Sequence, residues 1–286
     1  MMRVLLLAAA VSIALVSADG PPKKGKMAMA CILVRCAHRI ANCMFRPQCK
    51  ACAGCMDRCE KLELDDYESC AAECYLKLGT VQFSRLANCA AKSGCLKNAA
   101  ALSNKKSPTH IPSKLHGSFD LHSLSGILFY ARGTAPSYSR MDCMYTKATV
   151  NPFEQRLDFK VIYPIPETKS ARLYDYSMRQ VGPPNSPVFH SIFDLFGMKS
   201  DEVYHILDMV DGYVLIVTIG KGFGGEYQHA VVYSQHPSNF IPKEIEERFD
   251  TALEDAGMYA YLPSFFEFKG VNYDNPICKD FLYGVV

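Results

Sequence analysis

Eleven of the thirteen cysteines lie between Cys31 and Cys95, most of them at helical spacing. Thiols at that density either oxidise to disulfides or hold zinc. Cys49, Cys52 and Cys55 have the Cys-x2-Cys spacing of a zinc site, but an apolar leader ahead of them points to an oxidising compartment, where disulfides are the stronger reading. Cys55/Cys59 and Cys70/Cys74 each set two thiols one helical turn apart. Two such helices running antiparallel join Cys55 to Cys74 and Cys59 to Cys70. The same nesting among the first four cysteines predicts Cys36–Cys43 inside Cys31–Cys49, and Cys89–Cys95 closes the last loop. Cys143 and Cys278 remain as a long-range pair, which leaves Cys52 odd.

Other chemical signals are weaker. Gly220-Lys221-Gly222-Phe223-Gly224-Gly225 imitates a kinase glycine loop, yet no Val-Ala-Ile-Lys, His-Arg-Asp or Asp-Phe-Gly follows, so a hairpin turn is the reading. The eight histidines form no His-Glu-x-x-His. His205 and His229 fall on expected strands and read as surface or core residues, with acid sensing as the alternative. Neither a resident metal nor a nucleotide is expected.

The elements that position these groups fall into two modules. Met1-Met2-Arg3, an apolar run from Val4 to Val16 and small residues up to Ala18 predict a signal peptide over 1–18. A basic linker over 19–30 follows. Residues 31–100, rich in Ala, Cys and Leu, predict short helices, and the Ser-, Lys- and Pro-rich stretch 101–118 a linker. With 31 basic and 29 acidic side chains, the charge balance speaks against nucleic acid as a partner.

From Phe119 the texture turns β-branched and aromatic. Strands are expected over 124–132, 142–150, 157–163, 171–181, 188–196, 202–209, 213–219 and 228–234, all at hairpin spacing. Pro242 opens a helix with Ile245, Phe249, Leu253 and Ala256 on one stripe, and Gly257 ends it. An eight-stranded up-and-down barrel with one packed helix over 119–257 has the layout of a lipocalin and room for one small ligand. The aromatic tail 258–286 is then pinned by Cys143–Cys278. The fold class is α+β: a disulfide-rich helical module followed by an antiparallel lipocalin barrel with a C-terminal helix.

At this point the chain resembles the violaxanthin de-epoxidase family and its related proteins. The likeness rests on Cys31-x4-Cys36-x6-Cys43-x5-Cys49, on Cys55-x3-Cys59 and Cys70-x3-Cys74, and on Asp142-Cys143 after the turn Pro136-Ser137-Tyr138. It rests also on Ala230-Val231-Val232-Tyr233 after the glycine-rich turn, followed by Phe240-Ile241-Pro242. The resemblance implies an ascorbate-dependent oxidoreductase of the xanthophyll cycle that removes the epoxide oxygen of a carotenoid in the thylakoid lumen of the chloroplast. Without that role, the leader implies an extracellular protein. The epoxide opens once its oxygen is protonated, so a carboxylic acid in an apolar pocket is required. The family's acid corresponds to Asp201, with Glu202 as the neighbour that could be mistaken for it. Tyr138, Asp142, Met144, Thr218 and Tyr233 are the expected substrate-binding residues.

The chain departs from the family at several of these positions. Thr218 stands where the family has a tyrosine, Met144 where it has a glutamine, Ser139 where it has an acidic residue, and Gly126-Ile127-Leu128 where lipocalins have Gly-x-Trp. Two alternatives therefore stay open: an ascorbate-independent isomerase of epoxy-carotenoids, and a non-catalytic carrier of a carotenoid or other long apolar ligand. Peripheral membrane contact and a homodimer are further expectations of the resemblance.

Overall fold

The computed structural model describes residues 29–59, 64–95, 119–134, 142–165, 170–183, 185–195, 197–222, 225–238, 240–258 and 271–282. The expected leader, the linker 101–118, Tyr138 and most of the aromatic tail lie outside these residues.

Five helices make the N-terminal module: α1 (Met29–Arg35), α2 (Ala37–Met44), α3 (Pro47–Cys59), α4 (Leu64–Leu78) and α5 (Val81–Lys92). Its core is small and largely sulfur, with Cys43, Cys49, Cys52, Cys59 and Cys74 packed against Met56, Tyr75 and Phe83. The hydroxyl of Thr80 accepts from the Phe83 N–H and so caps the start of α5.

The bridges Cys55–Cys74, Cys59–Cys70 and Cys143–Cys278 form as the spacing predicts. The other three expected bridges are corrected: the structure contains neither Cys31–Cys49, Cys36–Cys43 nor Cys89–Cys95. Instead Cys31 joins Cys95, Cys36 joins Cys89, and Cys43 joins Cys49. The reason is packing. The α1–α2 segment lies against α5, and Ile32, Cys36, Ala90 and Cys95 share one buried cluster. Nested antiparallel pairing thus operates twice, once locally and once across the module. Closing a loop of 64 residues restricts the unfolded chain by about 4 kcal/mol, more than a local bridge does.

Cys52 is the free thiol among the described residues, and it is buried. Desolvation pushes it up to about 12, with the Arg172 charge opposing. Relative to an ordinary thiol at 9.0, its thiolate fraction near pH 8 falls about a thousandfold. Iodoacetamide at pH 8 should therefore label Cys52 in denatured protein and leave it untouched in folded protein over an hour. Rapid labelling of the folded form would mean that the module opens readily.

The second module is a closed barrel of eight antiparallel strands, each paired with its neighbours in sequence and β8 with β1. They are β1 (Gly126–Gly133), β2 (Tyr145–Asn151), β3 (Arg156–Ile165), β4 (Ser170–Gln180), β5 (Val188–Leu195), β6 (Met198–Val210), β7 (Tyr213–Gly222) and β8 (Gly225–Ser234). Up-and-down topology puts the β1–β2, β3–β4, β5–β6 and β7–β8 connections at one end, and the helical module is docked on two of them. The Tyr75 hydroxyl donates to the Leu195 carbonyl at 2.6 Å, beside the β5–β6 turn. Arg172, near the start of β4, donates to the Leu76 and Gly79 carbonyls at 3.0 and 2.6 Å, at the C-terminal end of α4. Gly197, with φ of +90°, makes the turn between β5 and β6, and a Cβ there would touch Val81 and Ser84 of α5.

α6 (Lys243–Asp255) covers the outer face of the barrel, burying Ile245, Phe249 and Leu253 against Ala131, Leu215, Val217, Ala230 and Val232. Glu244 and Glu246 stand in its first turn, where the helix dipole favours anions, and Gly257 at φ +70° ends it. Asp250 is the exception on this helix. Burial raises its carboxyl, Glu246 and Glu254 raise it further, and its Oδ1 meets no hydrogen-bond partner among the described residues. A carboxyl raised in the folded state costs stability when ionised, and the cost disappears as pH falls through the raised value. Asp250→Asn should accordingly stabilise the protein at pH 7 by about 0.5 kcal/mol after screening. The gain should vanish in melts run near pH 4, and an unchanged gain there would exclude the charge as its cause.

α7 (Pro276–Leu282) and the residues before it clasp the β1–β2 side. The Tyr273 hydroxyl donates to Met144 O at 2.6 Å, Tyr273 meets Phe129 edge-on, and Cys278 is bonded to Cys143.

Candidate functional site

Period-2 alternation decides which side chains of β6 enter the barrel. Glu202, Tyr204 and Ile206 point inward, while Asp201, Val203 and His205 point out. Asp201 is 61% exposed and pairs with His190 of β5 on the outer surface at 2.7 Å. The expected placement of the acid is thereby corrected: the carboxylate facing the interior is Glu202, 7% exposed. Ser200 donates to Glu202 Oε1 at 3.1 Å, and the Tyr204 hydroxyl donates to Oε2. A buried carboxyl with two hydroxyl partners is held in one orientation, as a group that must meet a ligand atom requires.

The cavity around Glu202 measures about 70 Å³, smaller than the ordinary range for small-molecule sites. Its walls differ. Phe159, Tyr174, Tyr176 and Phe193, from β3, β4 and β5, form an aromatic wall in which Tyr176 stacks on Phe159 at 5.1 Å and on Tyr174 at 5.7 Å. The opposite wall, from β6, β7 and β8, carries Glu202, Tyr204, Thr218, His229 and Tyr233. The two walls meet where Tyr176 stacks on Tyr204 at 6.5 Å, so flat apolar faces lie beside the polar groups.

Of the expected binding residues, Met144, Thr218 and Tyr233 line this cavity. Asp142 does not. Its carboxylate accepts from Asn275 Nδ2 at 3.1 Å and belongs to the clasp that holds the C-terminal segment. Tyr138 lies outside the described residues. Desolvation, together with the Glu202 charge, pushes the Tyr233 hydroxyl well above the usual tyrosine range. His229, which the sequence alone places on surface or core, is a cavity residue. Burial lowers its imidazole, and the Glu202 charge opposes that shift. Its position follows from Ala230 and Val232, which turn outward under α6 and so send His229, Val231 and Tyr233 inward.

Among the described residues, the one set of three potential metal ligands is Cys59, Cys70 and Cys74, and all three are disulfide-bonded. The donor set fits covalent cross-linking and does not fit a metal centre.

A closed eight-stranded antiparallel barrel with a small interior cavity, a helix packed outside and a disulfide-rich helical module defines a lipocalin-type protein. Residues 28–265 match the model of the VDE lipocalin domain, and the chain belongs to that family. A relative is violaxanthin de-epoxidase, chloroplastic, of Arabidopsis thaliana, 23% identical over 244 residues that make up 80% of this chain and 50% of the relative. The chain thus spans about half the length of that protein. Among solved structures, a major allergen of cockroaches, Per a 4, aligns with a TM-score of 0.40 and 11% identity over 58% of this chain and 96% of the allergen.

Proposed function

We propose that the barrel receives the epoxidised end ring of a carotenoid and removes its oxygen, with ascorbate as the reductant and Glu202, rather than Asp201, as the acid. The observation that carries this reading is the buried Glu202 carboxyl, fixed by Ser200 and Tyr204, facing an aromatic wall across the cavity. Membership of the VDE lipocalin family supports it. Glu202 protonates the epoxide oxygen as the C–O bonds break. The oxygen leaves as water, the two ring carbons rejoin as an alkene, and ascorbate supplies two electrons and two protons to become dehydroascorbate. The aromatic side chains exclude water and orient the ring. Six disulfides suit an oxidising compartment, and the thylakoid lumen is the compartment this reaction calls for.

The test is refolded mature protein with violaxanthin in lipid micelles near pH 5, with and without ascorbate, the pigments being resolved by chromatography. De-epoxidised pigment that forms only with ascorbate is the expected result. Unchanged pigment that co-elutes with the protein would overturn catalysis and leave a carrier.

A further inference from the structure

The contact between β4 and β5 breaks the regularity of the barrel. β3 and β4 pair from Arg156↔Arg179 to Ile165↔Ser170, and β5 and β6 from Val188↔His205 to Leu195↔Met198. Between β4 and β5 the register comprises, among the described residues, Gln180↔Phe189 and Arg179↔His190 and then stops. Just past that point Ser191 Oγ donates to the Ser177 carbonyl at 2.6 Å, a side-chain bond where a ladder bond would follow. Carried on, the same register would set Asp175 opposite Asp194, two exposed aspartates whose like charges disfavour pairing. The helical module engages the two strand ends instead. Arg172 of β4 donates to the Leu76 and Gly79 carbonyls, and the Leu195 carbonyl of β5 accepts from Tyr75.

This seam lies over the cavity. Tyr174, Tyr176 and Met178 of β4 and Phe193 and Leu195 of β5 all line it, so side chains rather than a backbone ladder close the wall there. The Phe193 ring meets Tyr176 at 5.5 Å and Tyr174 at 5.8 Å. Side chains move aside by rotation, whereas a continuous ladder parts only by local unfolding. On the outer surface Leu173, 56% exposed, and Ile192, 66% exposed, flank the same seam. A cavity of about 70 Å³ does not enclose a long ligand, so a chain attached to a bound ring has to leave the barrel.

We infer that the β4–β5 seam is a lateral slot that takes the linear apolar chain of a ligand whose terminal ring faces Glu202. The inference rests on the ring-binding reading proposed above and adds a specificity to it. The chain passes between the aromatic faces of Tyr176 and Phe193 and continues outside along Leu173 and Ile192. A thin, extended chain fits such a slot; a ligand with a second bulky group next to its ring does not.

The experiment compares the wild-type mature chain with two closed forms. In one, Asp175→Cys/Asp194→Cys is bridged across the seam by dibromobimane, whose fluorescence reports that both thiols have reacted. In the other, Ile192→Cys carries a bulky maleimide adduct. Cys52 is buried and does not compete for either reagent. The ligands are violaxanthin in lipid micelles, read as pigment co-eluting with the protein, and the epoxide of β-ionone, a single ring with a short chain, read by tyrosine fluorescence. Wild type and the unbridged cysteine pair should bind both. The closed forms should hold the single-ring epoxide within about twofold of wild type and retain violaxanthin at least about tenfold less, the pattern of a clash confined to one ligand. Violaxanthin retained at the wild-type level by both closed forms would overturn the slot and leave the ring-binding cavity standing. A wild type that binds neither ligand would remove the cavity reading and the slot with it.

Discussion

Glu202→Gln should reduce carotenoid de-epoxidation by about two to four orders of magnitude, the usual contribution of a positioned general acid, whereas Asp201→Asn should stay within about twofold of wild type. The two residues are adjacent and both acidic, so only the parity of β6 separates them. Glu202 lies inside the barrel with Ser200 and Tyr204 on its two oxygens; Asp201 lies outside against His190. Glutamine keeps the shape and the acceptor oxygen but has no acidic proton to give, so pigment binding should survive while turnover is lost. The measurement is the initial rate of pigment conversion with ascorbate, normalised to pigment retained by the protein. A large loss in Asp201→Asn with a mild effect in Glu202→Gln would mean that chemistry occurs away from this cavity.

The ambiguity at Asp201–Glu202 also shows where a sequence stops being legible. All eight strands could be placed because turn residues punctuate them and each is rich in β-branched or aromatic side chains. β6 nevertheless has apolar residues on both parities, Val203 and Leu207 on one and Tyr204 and Ile206 on the other. One parity faces the lumen and the other α6, both of them apolar surroundings, so alternation carries no sign. The strand also begins at Met198, four residues before its expected start, which brings Glu202 well inside the sheet. His229 was hidden for a related reason. Its inward position depends on Ala230 and Val232 lying under α6, a tertiary contact that no local pattern records. Half of the disulfide pairing was likewise out of reach: spacing ranks near partners first, while Cys31–Cys95 and Cys36–Cys89 depend on how α1, α2 and α5 pack. Cys55–Cys74 and Cys59–Cys70 were legible because both partners lie on consecutive helices.

Arg248→Met should cost about 3–5 kcal/mol, the penalty for leaving a buried charge without its partner. Asp208 is 0% exposed. A bulge between Ile206 and Asp208 interrupts the β6–β7 register, so Leu207 and Asp208 both turn toward α6. There Arg248 donates to both carboxylate oxygens, at 2.5 and 2.7 Å, and the Met209 N–H donates to Oδ1 at 2.8 Å. The hydrogen bond to Asp208 is the leading reason that the Arg248 guanidinium is held above its ordinary range. Methionine retains the length and apolar stem of Arg248 but removes its charge, so the loss reads electrostatics rather than packing. At about 2–4 °C per kcal/mol for a chain of this size, the melting temperature should fall by about 6–20 °C. The double variant Asp208→Leu/Arg248→Met separates two contributions: the attraction of the pair and the cost of an orphaned carboxylate. If burial of the unpaired charge dominates, the double variant recovers most of the stability lost in Arg248→Met, since replacing both partners by apolar groups is often near neutral. A double variant as unstable as the single one would instead make the bidentate pair itself the element that fixes α6 on the barrel, with the β6 bulge retained to present Asp208 to it.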